Sequence, residues 1–196
     1  MKIGIFGGTF DPVHQGHLVV ARHVREQFCL DRIYFIPVHI SPHKTTEVPL
    51  VSGEHRLQML ELAIQNDDGF YVSDLELKRE GISYTVDTVD AFLRDFPNDT
   101  LYLILGADSY QHFSSWKNPE KIENGAHILI APRPDFSVVL NPIKATEIKM
   151  KTISVSASEI REKLKLGEFV GELTVPGEVL AYIRKQHLYE KVESHS

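Results

Sequence analysis

Ile3-Gly4-Ile5-Phe6-Gly7-Gly8-Thr9-Phe10-Asp11-Pro12-Val13-His14-Gln15-Gly16-His17 runs from a short apolar stretch through adjacent glycines into a polar turn. Residues 3–6 read as a buried parallel strand entering that turn. Past it, Leu18, Val19, Ala21, Val24 and Phe28 fall on a helical stripe. Adjacent glycines let the backbone approach a phosphate closely, because no Cβ intervenes. A helix starting near His14 or Gly16 would aim its free N–H groups and positive dipole end at the same anion. His14 and His17 share a helical face and can donate side by side. The spacing is neither Gly-x-Gly-x-x-Gly nor Gly-x-x-x-x-Gly-Lys-Ser/Thr, so the common dinucleotide and P-loop readings fail. One rival is a glycine turn with surface histidines. Another is metal ligation by the pair, which lacks a nearby third ligand in a zinc pattern.

The same alternation continues along the chain. Strands are expected at 32–38, 70–77, 101–105 and 127–131, with helices at 55–64 (Leu57, Leu60, Leu62, Ile64) and 85–96. Residues 39–52 form a polar loop, and 135–151 are irregular with a short strand at 147–150. Helices at 156–166 and 176–187 finish the chain. The pattern predicts an α/β, Rossmann-like, doubly wound parallel sheet with helices on both faces. With no linker or repeat, residues 1–196 are expected to form a single domain, the helices from about 156 packed on it. Ligands of such sheets bind beyond the carboxyl ends of the strands, where Gly7, Val38, Gly106 and Pro132 should lie.

Composition narrows the function. The 196 residues are 42% hydrophobic and 24% charged, which excludes a disordered, collagen-like or disulfide-rich chain. A net charge of −6 argues against sequence-independent binding to nucleic acid or an anionic membrane. Cys29 is the one cysteine, read as a small buried hydrophobe rather than a nucleophile. With no signal peptide and no apolar run of spanning length, a cytoplasmic location is expected.

Residues 8–17 match, at every fixed position, the Gly-Thr-Phe-Asp-Pro-x-His-x-Gly-His signature of the nucleotidyltransferase α/β superfamily, which the chain resembles. Val155 to Arg161 is similar to that superfamily's Ile-Ser-Ser-Thr-x-Ile-Arg motif, departing at Val155, Ala157 and Ser158. Ser156 and Glu159 alone would equally form a helix capping box. Pro42-His43-Lys44, Arg56, Ser83-Tyr84-Thr85 with Asp87-Thr88, Gly106-Ala107-Asp108 before Trp116, Arg133 and the Leu188-Tyr189 tail extend the likeness. Together they resemble the bacterial nicotinate-mononucleotide adenylyltransferases; the phosphopantetheine adenylyltransferases lack the Ser-Tyr-Thr segment and this tail.

The resemblance implies an enzyme moving AMP from ATP to nicotinate mononucleotide, giving deamido-NAD and pyrophosphate in NAD biosynthesis. It implies His14 and His17 as catalytic residues, and ATP binding by Gly7, Gly8, Thr9, Phe10, Gly106, Asp108, Arg133, Ser156, Ser158 and Arg161. Lys44, Thr85 and Trp116 would hold the pyridine nucleotide. Mg²⁺ would accompany ATP, with no metal site built from the protein's own residues. The partners are small molecules, with no nucleic acid or membrane, and a homo-oligomer is left open. Alternatives are transfer to nicotinamide mononucleotide or another phosphate acceptor, or a non-catalytic nucleotide-binding sensor.

Overall fold

The computed structural model describes residues 1–42, 49–134, 136, 145–152 and 154–190. Its strands are β1 (Lys2–Gly8), β2 (Arg32–Pro37), β3 (Phe70–Val72), β4 (Thr100–Gly106), β5 (His127–Ala131) and β6 (Ala145–Glu147). All neighbours pair in parallel, in the order β3-β2-β1-β4-β5-β6. The helices are α1 (Gln15–Phe28), α2 (Gly53–Ile64), α3 (Leu75–Arg79), α4 (Thr85–Asp95), α5 (Ala107–Tyr110), α6 (Pro119–Gly125), α7 (Ala157–Lys165) and α8 (Gly177–Lys185). The fold is the doubly wound α/β sheet that the alternating pattern predicts.

Pleating sends successive side chains to opposite faces, and here both faces are covered. Leu101, Leu103 and Leu105 of β4 join Ile3, Ile5, Ile128 and Ile130 against α4 and α6. Phe6, Ile33, Phe35, Ile104 and Leu129 face the other layer, packed on α1 and α2. Ile160 of α7 and Val179, Leu180 and Ile183 of α8 are buried in that second layer. Strand order reverses around β1, which lies between β2 and β4. The crevice beyond the carboxyl ends of β1 and β4 is the switch point where such sheets bind ligands.

Several local expectations are corrected. The third strand ends at Val72 rather than 77, and residues 75–79 turn into α3. Alternation of Leu75, Glu76 and Leu77 mimics a strand, but the Leu75 amide is held by the Ser73 hydroxyl at 3.4 Å as the helix begins. The last strand is Ala145–Glu147, displaced towards the N-terminus from 147–150. On α2 the buried stripe is Arg56, Met59, Leu60 and Ile64, not one centred on Leu57 and Leu62. Val19 is exposed. Cys29, in the left-handed region at φ 52 as the C-cap of α1, is exposed too, so it is no core hydrophobe. Among the described residues no helix is long and apolar enough to cross a membrane.

Leu103 is 1% exposed at the middle of the sheet. Leu103→Ala should lower the unfolding free energy by about 2–5 kcal/mol, read from urea denaturation. An unchanged midpoint would contradict the two-layer core.

Candidate active site

The turn from β1 to α1 is shaped by what a Cβ would meet. At Gly7 it would meet nothing within 4 Å, so this backbone faces open space. At Gly8 it would lie 2.9 Å from the Phe10 ring. Gly7 thus offers close approach to a ligand, whereas Gly8 makes room for Phe10. Phe10 holds a left-handed backbone (φ 49), uncommon for a bulky residue, while its ring is 2% exposed. That ring packs edge-on to Phe6 and lies 4.9 Å from the His17 ring. Any contact of Phe10 with a nucleotide is therefore through its backbone, because its side chain belongs to the core.

His14 is the N-cap of α1, and its ring stacks on His17 with centroids 3.7 Å apart. The His14 amide donates to His17 Nδ1 at 3.2 Å, which leaves the neutral His17 ring its proton on Nε2. His14 is 3% exposed, and its Nδ1 has no hydrogen-bond partner among the described residues. Burial, followed by the Arg133 charge, lowers the His14 pKa to about 4. Burial, then His14 and Arg133, holds His17 well below 6.5. Both rings are neutral N–H donors at pH 7 beside a cationic Arg133.

Around this pair a cleft of about 1410 Å³ brings together Gly7, Gly8, Thr9, Phe10, Gly106, Asp108, Arg133, Ser156, Ser158 and Arg161 with Thr85 and Trp116. Lys44 lies outside the described residues. A Cβ at Gly106 would meet the Asp108 carboxylate, the far end of a half-exposed side chain that would have to turn away. Asp108 Oδ1 sits 3.7 Å from Arg133 Nε, a loose and half-exposed pair open to exchange for a ligand. Ser156 is the N-cap of α7, yet its side chain makes no capping bond, so the capping-box expectation fails. That hydroxyl, like the first turn of α7, remains available at the cleft. Arg161 is partly engaged: it donates to the Asp11 carbonyl at 2.8 Å and to the Ser158 hydroxyl at 3.3 Å.

Thr85 occupies the first position of α4, behind Tyr84 as N-cap, rather than the cap itself. Trp116 is half-buried, 5.4 Å from the Phe113 ring. Next to it, Lys117 lies over the Tyr84 ring at 4.4 Å and pairs with Asp87 at 3.3 Å. This lysine fastens the Trp116 segment to the start of α4, making one wall of the two.

Sequence reasoning assigned no role to the residues that hold the turn in place. Asp11, 3% exposed, accepts from the Leu50 amide at 2.8 Å and from the Tyr189 hydroxyl at 2.6 Å. Arg56, 2% exposed, donates to the carbonyls of Thr9 at 2.9 Å and Val38 at 2.7 Å. Its signal was present in the chain: an arginine at the head of the stripe formed by Met59, Leu60 and Ile64. Among the described residues, no group of three or more His, Cys, Asp or Glu is placed to hold a metal. The donors here suit an anion.

Comparison with known proteins adds the family. The cytidylyltransferase-like family model matches residues 5–163. A probable nicotinate-nucleotide adenylyltransferase of Dictyoglomus thermophilum is 45% identical, covering 96% of this chain and all of that protein. Its counterpart of the same name in Thermus thermophilus is 41% identical over 96% and 100%. A solved Plasmodium falciparum nicotinic acid mononucleotide adenylyltransferase, complexed with NaAD, superposes with a TM-score of 0.81 at 24% identity, covering 96% of this chain and 97% of that one.

Tyr189→Phe should cost about 1–3 kcal/mol of stability, since it strips a buried carboxylate of one donor; thermal melts at pH 7 check this. The histidines set a pH trend. The folded protein keeps His14 neutral down to about pH 4, whereas the unfolded chain takes up a proton below 6.5. Stability is therefore whole above pH 6.5 and declines towards pH 4, with His14 contributing about 2 kcal/mol of loss between pH 7 and 5. Urea titrations of wild type and His14→Gln should show the smaller fall in the variant.

Proposed function

The chain belongs to the cytidylyltransferase-like family and, within it, to the nicotinate-nucleotide adenylyltransferases, and on that footing we propose that it transfers AMP from ATP to nicotinate mononucleotide, releasing pyrophosphate and forming deamido-NAD. One observation carries the mechanism: a buried, stacked histidine pair with an unpartnered Nδ1 stands beside Arg133 at the start of α1. An oxygen of the mononucleotide phosphate attacks the α-phosphorus of ATP. A new P–O bond forms as the α–β bridging bond breaks, and pyrophosphate leaves with that electron pair. No covalent intermediate with the protein is needed.

Negative charge grows on the equatorial and leaving oxygens during this step. Fixed donors lining the cleft stabilise it without reorganising. His14 and His17 supply N–H groups, Arg133 a full positive charge felt by both rings, and Gly7 the close backbone approach. The open first turn of α7, with Ser156 and Ser158, binds triphosphate oxygens, while Arg161 joins that helix to the first turn. Asp108 serves the ribose hydroxyls. Thr85 and Trp116, with Lys44, hold the pyridine nucleotide, the first amides of α4 facing its carboxylate. Mg²⁺ would enter with the triphosphate and would offset part of its negative charge, complementing the His14, His17 and Arg133 donors. We place this reaction in the cytoplasm, on small molecules and not on nucleic acid or membrane, in keeping with the net charge of −6.

Pyrophosphate release with ATP and Mg²⁺ tests the reading directly. Nicotinate mononucleotide should be used far better than its amide. Equal use of both would remove the pyridine subsite, and no release with either would leave another phosphate acceptor or a nucleotide-binding sensor. His14→Ala should lower kcat about 10²–10³-fold in a folded protein; near-full turnover would overturn the role of the pair.

A further inference from the structure

Behind the start of α4 lies a buried polar cluster that the reaction itself does not use. Glu76 of α3 is 4% exposed, Ser83 5% and Thr88 2%, and all three border the cleft. The Thr88 hydroxyl donates to Glu76 Oε1 at 2.6 Å, while Arg79 donates to that same hydroxyl at 3.4 Å. Ser83 lies beside the Glu76 carboxyl, and its hydroxyl accepts the His39 amide at 2.9 Å. No well-formed bond reaches Glu76 Oε2.

Burial, the largest influence on Glu76, raises its pKa. A carboxyl kept there against that penalty, where apolar packing would serve stability equally well, points to a need for fixed geometry. The bonds define which geometry. Thr88 stands one turn inside α4, and Ser83 immediately precedes its N-cap, Tyr84. Glu76 therefore holds the first turn of α4 through Thr88, with Ser83 packed beside it.

We propose that Glu76 is a positioning residue for the pyridine subsite: through Thr88 it sets the Ser83–Tyr84–Thr85 turn, so that the first amides of α4 meet the carboxylate of the mononucleotide. The proposal rests on the acceptor reading above. It separates the two substrates, because the triphosphate end of the cleft is built from β1, β4 and α7, none of which Glu76 bonds. Glu76 touches no reacting atom and acts on kcat only through the acceptor.

The test compares wild type, Glu76→Ala and Glu76→Gln with each substrate varied, alongside hydrogen exchange of the backbone amides. Glu76→Ala should raise KM for nicotinate mononucleotide about tenfold, with KM for ATP within about twofold of wild type. Amides 84–86 should exchange about tenfold faster, with the β1–α1 turn unaffected. Glu76→Gln keeps an acceptor for Thr88 in the same shape and should recover most of the loss. Parallel rises in both KM values, or wild-type behaviour of Glu76→Ala, would overturn the proposal. Should wild type fail to use nicotinate mononucleotide at all, the acceptor reading fails. Exchange then decides the positioning role alone, and unchanged amides 84–86 would end it. If Glu76→Ala does not fold, Thr88→Val cuts the same link from the other side and must show the same split between substrates.

Discussion

A carboxylate buried in a protein must find hydrogen-bond donors, and Asp11 draws its own from distant parts of the chain. Leu50 supplies an amide from the loop after β2, and Tyr189 a hydroxyl from beyond α8. The neighbouring carbonyls are claimed in the same way, Asp11 by Arg161 and Thr9 by Arg56. A turn that must expose backbone to an anion cannot be held by packing on its open side. It is held from behind instead, by cations and hydroxyls carried on α2, α7 and the C-terminal segment. The left-handed backbone of Phe10 persists because its ring is set into the core between Phe6 and Phe35.

The histidines at this turn are neutral for a physical reason. Two imidazolium rings at stacking distance would repel each other, and Arg133 would add to the repulsion. Burial resolves the conflict by keeping both rings uncharged in the free protein, at the expense of an unpartnered Nδ1 on His14. Arg133 is loosely tied to Asp108.

Much of this was legible in the chain. The long apolar strands, the glycine turn and the amphipathic stripes carry strong periodicity, so sheet type, most helices and the ligand edge could be read from them. Failures fell where local pattern and tertiary demand diverge. Leu75-Glu76-Leu77 alternates like a strand, but Glu76 sits on a short helix and is buried against Thr88, twelve positions on. Ser156 with Glu159 has the letters of a capping box without the bond. Cys29 looked like a core residue because α1 is apolar on one face, yet a left-handed C-cap points away from that face. Arg56 was the subtlest: a charged residue on a buried stripe, intelligible only when the carbonyls it serves are seen.

The contact between Tyr189 and Asp11 spans 178 positions of sequence, and this places a condition on how the protein comes into being. A ribosome adding roughly 5–20 residues per second needs on the order of 10–35 s to travel that distance. Throughout that interval the nascent β1–α1 turn exists without its final donor. The turn is therefore made well before the donor that completes its hydrogen bonds.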